Sequence, residues 1–335
     1  MTTSRAGAPT GQTQPSLKRM LVLTAVVLVL TVAVLYGLSR WWGPQVLSAG
    51  IISILTLAPT VTVLNLRGVL WATGWVAVVC VAAILVPATK WFILAGVLVS
   101  SLSQGFFVGG GVAGLNRTPA SFLGFANFSR ENGTLADVWQ PLVGVLIGAL
   151  GVIILGIVAF GAQRKKVDIP PMYERLLYGG GLALGSLILA AVWYFADWPH
   201  LVYPLLAFCI IFAFDSGQVL RNSALRVGGG ITGVTFAVLA SMFLPNPVIV
   251  ALMAVSAIVA IALMLLGRQF WFVAFLIATI VLKASLSGEA ALVSAKQHIT
   301  GIVAAALVAV LLHFLAEPIH RRLARRAANQ APATW

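Results

Sequence analysis

Apolar runs of about twenty residues follow one another along almost the whole chain, and this pattern restricts the fold more than any other feature. A helical run of that length matches a hydrocarbon core roughly 30 Å thick. Charged residues make up only 9% of the sequence, compared with roughly a quarter of an ordinary soluble domain. The alternating segments of about ten residues that a membrane β-barrel needs are not visible. We therefore predict an all-α polytopic membrane protein.

The composition also argues against several function classes. A net charge of +13 results from 21 basic and 8 acidic residues, and the basic ones lie mostly beside the apolar runs. This excess is typical of orientation by the positive-inside rule, so we expect no nucleic-acid partner. Cys80 and Cys209 fall within apolar runs, where thiols serve as small hydrophobic side chains. Because no metal-ligand spacing or catalytic motif is present, we expect no cofactor, no metal site and no enzymatic activity.

The sequence repeats itself with an offset of about 157 residues, a period long enough to contain several membrane spans. Trp42 recurs as Trp198, and Arg67 recurs as Arg226. Duplicated membrane bundles of this kind often form a transport path between two halves. The repeat therefore predicts a transporter-like arrangement.

Hydropathy indicates five spans in the first half and six in the second. Their bounds are 20–38, 44–62, 67–87, 90–111, 139–161, 173–195, 200–217, 224–244, 247–267, 270–286 and 296–316. The missing partner would lie near 112–128, which is too polar to be recognised by hydropathy. With six spans in each half, sixteen basic residues, Arg117 among them, lie inside and five lie outside. We predict about twelve transmembrane helices in two parallel six-helix repeats, related by a pseudo-twofold axis along the membrane normal.

The predicted organisation has five parts, and both termini are cytoplasmic. They are a disordered cytoplasmic tail (1–17), the first six-helix repeat (18–162), a cytoplasmic linker (163–172), the second six-helix repeat (173–319) and a basic cytoplasmic tail (320–335). The linker is polar and interrupted by two prolines, and no other loop is long enough to hold a soluble domain.

Charged residues near or within spans are the candidates for chemistry, because each costs roughly 2.5–3.5 kcal/mol at a helix centre. Arg67 and Arg226 each begin the third span of their half, and the pseudo-twofold axis would bring them to equivalent positions. Guanidinium groups bind carboxylates through paired hydrogen bonds, so the two arginines are predicted to hold an anion. The alternative is that both reach the cytoplasmic headgroups as topology anchors.

A second group of polar residues lies where the second span of each half turns into the third. Asp215 is either a proton-coupling carboxylate or the salt-bridge partner of Arg221 or Arg226. The full set of predicted substrate-binding residues is Arg67, Arg226, Arg221, Asn222 and Asn65, and the predicted coupling or gating residues are Asp215, Gln104 and Asn116.

The weak crossing is the third candidate region. Gly109–Gly111 precede Asn116, Arg117 and Pro119, a combination that favours a broken or re-entrant helix. Non-helical backbone at membrane depth is tolerated only inside protein or along a wet cavity. We therefore predict that residues 109–128 line the pathway.

Two stretches of the second half carry a family resemblance. They are Trp198-Pro-His-Leu-Val-Tyr-Pro and Leu225-Arg226-Val-Gly-Gly-Gly-Ile-Thr-Gly233, and Gln297-His-Ile-Thr-Gly301 follows later. This pattern resembles the fusaric-acid-resistance-like (FUSC) family of the aromatic acid exporter superfamily. The resemblance implies paired six-helix bundles around a central path and export or conduction of organic anions. Arg226, and Arg67 by repeat, match the family's arginine at the third span.

Together, the residues and the resemblance predict an exporter of small organic, aromatic acids in the bacterial inner membrane. The expected partners are the lipid bilayer, a small organic anion, a periplasmic adaptor protein as in several exporters of the family, and a second copy of the chain in a homo-oligomer. The alternatives are an organic-anion channel of the same architecture and a non-transporting membrane assembly subunit.

Overall fold

A computed structural model of the chain describes residues 17–62, 64–87, 89–107, 117–128, 134–160, 171–196, 202–212, 218–286 and 290–330. Within these ranges every regular element is helical, so the prediction of an all-α protein is confirmed. The helices are α1 (Leu17–Trp42), α2 (Gln45–Leu57), α3 (Leu66–Leu85), α4 (Lys90–Phe107), α5 (Thr118–Ala126), α6 (Leu135–Phe160), α7 (Met172–Phe195), α8 (Val202–Ile211), α9 (Val219–Phe243), α10 (Asn246–Leu265), α11 (Gln269–Leu286) and α12 (Ala291–Gln330). A short 3-10 helix, Thr60–Thr62, follows α2.

Nine helices of the described ranges are long and apolar enough to cross a bilayer. They are α1, α2 with its 3-10 extension, α3, α6, α7, α9, α10, α11 and α12. The apolar helix α8 is shorter, with ten residues. The chain is therefore a multi-pass membrane protein, as the hydropathy predicts.

Helix ends follow ordinary capping chemistry. The side chain of Asn65 accepts a hydrogen bond from the amide of Gly68 at 2.9 Å and so caps the start of α3. At the start of α6, the amide of Thr134 donates to Asp137 Oδ2 at 3.1 Å and the Thr134 hydroxyl donates to the same oxygen at 2.8 Å. Gly267, with φ of 70°, makes the tight turn between α10 and α11.

The contacts within α1–α6 have counterparts within α7–α12. Helix α6 packs against α2 and α3, and α12 packs against α8 and α9. Between the two sets, α4 lies along α7 and α1 touches α10. The α4–α7 pair is antiparallel, because Lys90 Nζ donates to the carbonyl oxygen of Tyr194 at 3.0 Å and Arg175 Nε donates to that of Gly105 at 3.2 Å.

Glycines bring several of these helices into backbone contact. A Cβ atom on Gly148 of α6 would collide with the carbonyl oxygen of Gly50 on α2. A Cβ on Gly179 of α7 would lie 3.0 Å from the Cα of Gly105 on α4. Small residues at membrane helix crossings allow such close packing, and van der Waals contact then stabilises it.

Helix α5 is enclosed by other helices, and all nine of its residues are buried. It contacts α2, α3 and α4 of the first set and α8 of the second. Nine helical residues extend about 14 Å, less than half of the hydrocarbon thickness. The described part of the weak crossing is thus a short helix enclosed by protein, while residues 109–116 lie outside the described ranges.

Candidate functional site

Two buried arginines lie near the same aromatic ring where the two sets of helices meet. Arg117 is 6% exposed and Arg226 is 4% exposed. The guanidinium carbon of Arg117 lies 5.7 Å from the centroid of the Phe272 ring, and that of Arg226 lies 5.9 Å from it. The two cations therefore cannot be further apart than the sum of these distances, and they repel each other. We call Arg117, Arg226 and Phe272 the arginine–phenylalanine cluster.

Close packing of α9 on α11 positions Arg226 beside the ring. Arg226 belongs to a buried stripe on α9 that continues through Gly229 and Gly233. A Cβ on Gly229 would lie 2.6 Å from the carbonyl oxygen of Phe270, and one on Gly233 would collide with the backbone of Ala274. Because these glycines carry no side chain, α11 approaches α9 closely enough for Phe272 to reach the guanidinium.

Arg117 comes from the other side of the cluster, at the residue that precedes α5, and it is held by both sets of helices. Its Nη1 atom donates to the carbonyl oxygen of Leu55 on α2 at 2.6 Å and approaches Met264 Sδ on α10 at 3.4 Å. The Leu55 carbonyl is available because its helical donor would be the amide of Pro59, and proline has no N–H. The negative end of the α2 dipole also faces this cation.

Arg226 differs from Arg117 because two of its three guanidinium nitrogens have no hydrogen-bond partner. The Nε and Nη1 atoms of Arg226 are fully buried, and neither forms a hydrogen bond in the structure. Burial of a cation without an acceptor destabilises the folded protein by several kcal/mol. One cation–π contact near the outer distance limit offsets only about 0.5–1 kcal/mol of this penalty. Arg226 is therefore a buried cation whose charge the described residues leave largely uncompensated.

The other predicted substrate-binding residues lie outside this cluster. Arg67 is exposed at the start of α3, and Asn65 is exposed beside it as the helix cap. On α9, Arg221 is exposed and Asn222 is partly buried. Arg226 thus shares its aromatic neighbour with Arg117, and no contact of Arg226 with the predicted partner Arg67 is observed among the described residues.

Of the predicted coupling or gating residues, only Gln104 lies within the described ranges. It is buried on α4, where its Nε2 atom approaches the carbonyl oxygen of Ser100 at 3.4 Å. Asp215 and Asn116 lie outside the described ranges. Their proposed roles stay predictions.

Sequence reasoning missed two members of the cluster, Arg117 and Phe272, and Arg117 is the more informative of them. The positive-inside analysis counts it among the cytoplasmic charges, whereas the structure buries it between α2, α10 and α11. Its burial depends on the enclosure of α5, which hydropathy cannot report. Its burial could have been inferred from its position, because Arg117 lies in a segment already expected to be enclosed by protein. A charge in such a segment cannot reach the lipid headgroups.

The described residues contain no group of three or more His, Cys, Asp or Glu side chains able to hold a metal ion. The functional groups of the cluster are guanidinium donors, which can form charge-assisted hydrogen bonds with anions, and an aromatic ring.

Comparisons with protein-family models, curated proteins and solved structures find no match to this chain. The resemblance to the FUSC family therefore stays an expectation from sequence, and the functional argument depends on the geometry of the cluster.

Proposed function

We propose that this chain is an integral membrane transporter for small organic anions and that Arg226 binds the anion. The observation that carries the proposal is the buried guanidinium of Arg226, whose Nε and Nη1 atoms have no hydrogen-bond partner, near the second buried cation Arg117. Proteins keep an uncompensated charge at membrane depth chiefly where it serves a substrate or ion pathway. The two arginines have different tasks, since Arg117 is already engaged by the Leu55 carbonyl and Arg226 is not.

The proposed architecture places the anion path between two parallel six-helix repeats, α1–α6 and α7–α12. The matching contacts of α6 with α2 and α12 with α8, and of α4 with α7 and α1 with α10, support the duplication. The cluster supports a path at the junction, because Arg117 belongs to the first set while Arg226 and Phe272 belong to the second. We place the protein in the bacterial inner membrane with both termini in the cytoplasm, in line with the distribution of its basic residues.

The direction of transport and a preference for aromatic acids follow from the family resemblance, and so does a periplasmic adaptor. These finer features belong to the proposal as expectations. The cluster itself supports the class of substrate, a small organic anion, because its free donors are cationic and its wall includes the Phe272 ring.

Transport of labelled benzoate by purified protein in liposomes tests the proposal. Arg226→Gln removes the charge and keeps a polar, though shorter, side chain. We expect its initial rate at subsaturating benzoate to fall about tenfold or more, because a charge-assisted hydrogen bond contributes roughly 1.5–3 kcal/mol. Arg221→Gln is the matched control, since it removes the same charge from an exposed position on the same helix.

Equal rates for Arg226→Gln and Arg221→Gln, at equal amounts of folded protein, would contradict the proposal. The variant Arg67→Gln tests the sequence-based assignment of Arg67 in the same assay. A loss as large as that of Arg226→Gln would place Arg67 in the anion site.

A further inference from the structure

Ser223 on α9 has a buried hydroxyl that forms no hydrogen bond. Serine and threonine side chains inside helices usually donate to a carbonyl oxygen one turn earlier. Other hydroxyls of this chain do so: Thr73 Oγ1 donates to Val69 O at 2.9 Å, and Thr232 Oγ1 donates to Gly228 O at 3.0 Å. The Ser223 side chain is only 7% exposed, and its hydroxyl does not form such a hydrogen bond.

Ser223 lies one turn before Arg226 on the same buried stripe of α9. Residues three apart on a helix are side-chain neighbours, with Cβ atoms about 5–6 Å apart. Two neighbouring side chains therefore have buried donors without acceptors, a combination that natural proteins generally avoid. The buried Thr24 hydroxyl also has no hydrogen-bond partner, but Thr24 has no cation one turn away on its helix.

We propose that the Ser223 hydroxyl and the Arg226 guanidinium together bind one carboxylate group of the transported anion. This inference rests on the proposed function and deepens it by naming the ligand chemistry. A carboxylate has two oxygens with several lone pairs, so it can accept from the guanidinium and the hydroxyl at the same time. A halide ion can also accept from both donors, but it is a weaker hydrogen-bond acceptor than a carboxylate oxygen and should gain less from the hydroxyl.

The test measures binding of benzoate and of chloride to the purified full-length protein, from the concentration dependence of its thermal unfolding. Ser223→Ala should raise the Kd for benzoate about tenfold, the size expected when a hydrogen bond to a charged acceptor is lost. The Kd for chloride should change less than about twofold. Ser223→Thr keeps the hydroxyl and should bind benzoate more tightly than Ser223→Ala.

The unfolding temperature without added anion separates a binding hydroxyl from a structural one. Removal of an unpartnered buried hydroxyl should leave that temperature unchanged or raise it, because alanine needs no acceptor. Ser241→Ala is the matched control on α9, since the Ser241 hydroxyl donates to Val238 O at 2.8 Å. We expect it to leave the benzoate Kd unchanged.

Two results distinguish this inference from the proposed function. If Arg226→Gln raises the benzoate Kd but Ser223→Ala does not, the serine is not a ligand contact and only the inference fails. If neither variant changes the Kd, or if benzoate does not shift the unfolding of the unaltered protein, the anion site at Arg226 fails as well.

Discussion

Replacement of Arg226 by methionine should stabilise the protein while abolishing transport. Arg226 is 4% exposed, two of its nitrogens have no acceptor, and Arg117 repels it. Removal of a buried uncompensated charge recovers several kcal/mol, and the lost contact with Phe272 gives back about 0.5–1 kcal/mol. Methionine is unbranched and flexible, so it can fill most of the vacated volume. We expect the free energy of unfolding to rise by about 2–4 kcal/mol.

The two cysteines provide the assay for this prediction. Cys80 and Cys209 are both fully buried, so a thiol-reactive fluorophore reports the unfolding of the helices around them. At about 2 °C per kcal/mol for a chain of this size, Arg226→Met should unfold roughly 4–8 °C higher than the unaltered protein. The measurement uses protein dialysed against buffer without carboxylates, because a bound anion would stabilise only the arginine form.

Arg221→Met is the control, because it makes the same change at an exposed position of α9 and should shift unfolding by less than about 1 °C. A fall of several degrees in Arg226→Met would refute the reasoning. It would mean that the folded protein itself compensates the Arg226 charge, and that the guanidinium is a structural element.

Two further predictions concern the glycines. Gly148→Leu should destabilise the protein by at least about 3 kcal/mol or prevent folding, because its side chain would collide with the Gly50 carbonyl. Gly37→Leu on α1, where no atom lies within 4 Å of the added Cβ, should fold normally. Gly267→Ala should cost about 1 kcal/mol because of its φ of 70°, and Gly267→Asn should cost less, since asparagine tolerates this conformation. Thermal unfolding measures all four, and equal stability of the Gly148 and Gly37 variants would contradict the packing of α2 on α6.

The positions of the helices are largely predictable from the sequence, because a chain segment that crosses a bilayer must be long, apolar and internally hydrogen-bonded. The predicted spans 67–87 and 270–286 agree closely with α3 and α11. The predicted span 200–217 contains the shorter helix Val202–Ile211, with residues 213–217 outside the described ranges. Hydropathy averages composition over a window of residues. It therefore cannot show that a helix ends partway along an apolar run.

The site was only partly predictable. Arg226 stands out in the sequence because it is a charge near the start of an apolar run that follows a polar segment. Ser223 carries no such signal, since a serine in a membrane helix normally bonds to its own backbone. The pairing of Arg226 with Arg117 depends on the burial of α5 and on the approach of α11 to α9, which are tertiary facts. An internal repeat relates equivalent positions, and for that reason it points from Arg226 to Arg67 instead.

One missing hydrogen atom, on the imino nitrogen of Pro59, has consequences well beyond the turn in which it occurs. Any other amino acid at that position would bring a backbone N–H that could compete for the Leu55 oxygen. Arg117 would then have to share its acceptor with that amide. The ring of one proline thus helps to determine how a cation from a different segment of the chain is anchored inside the protein.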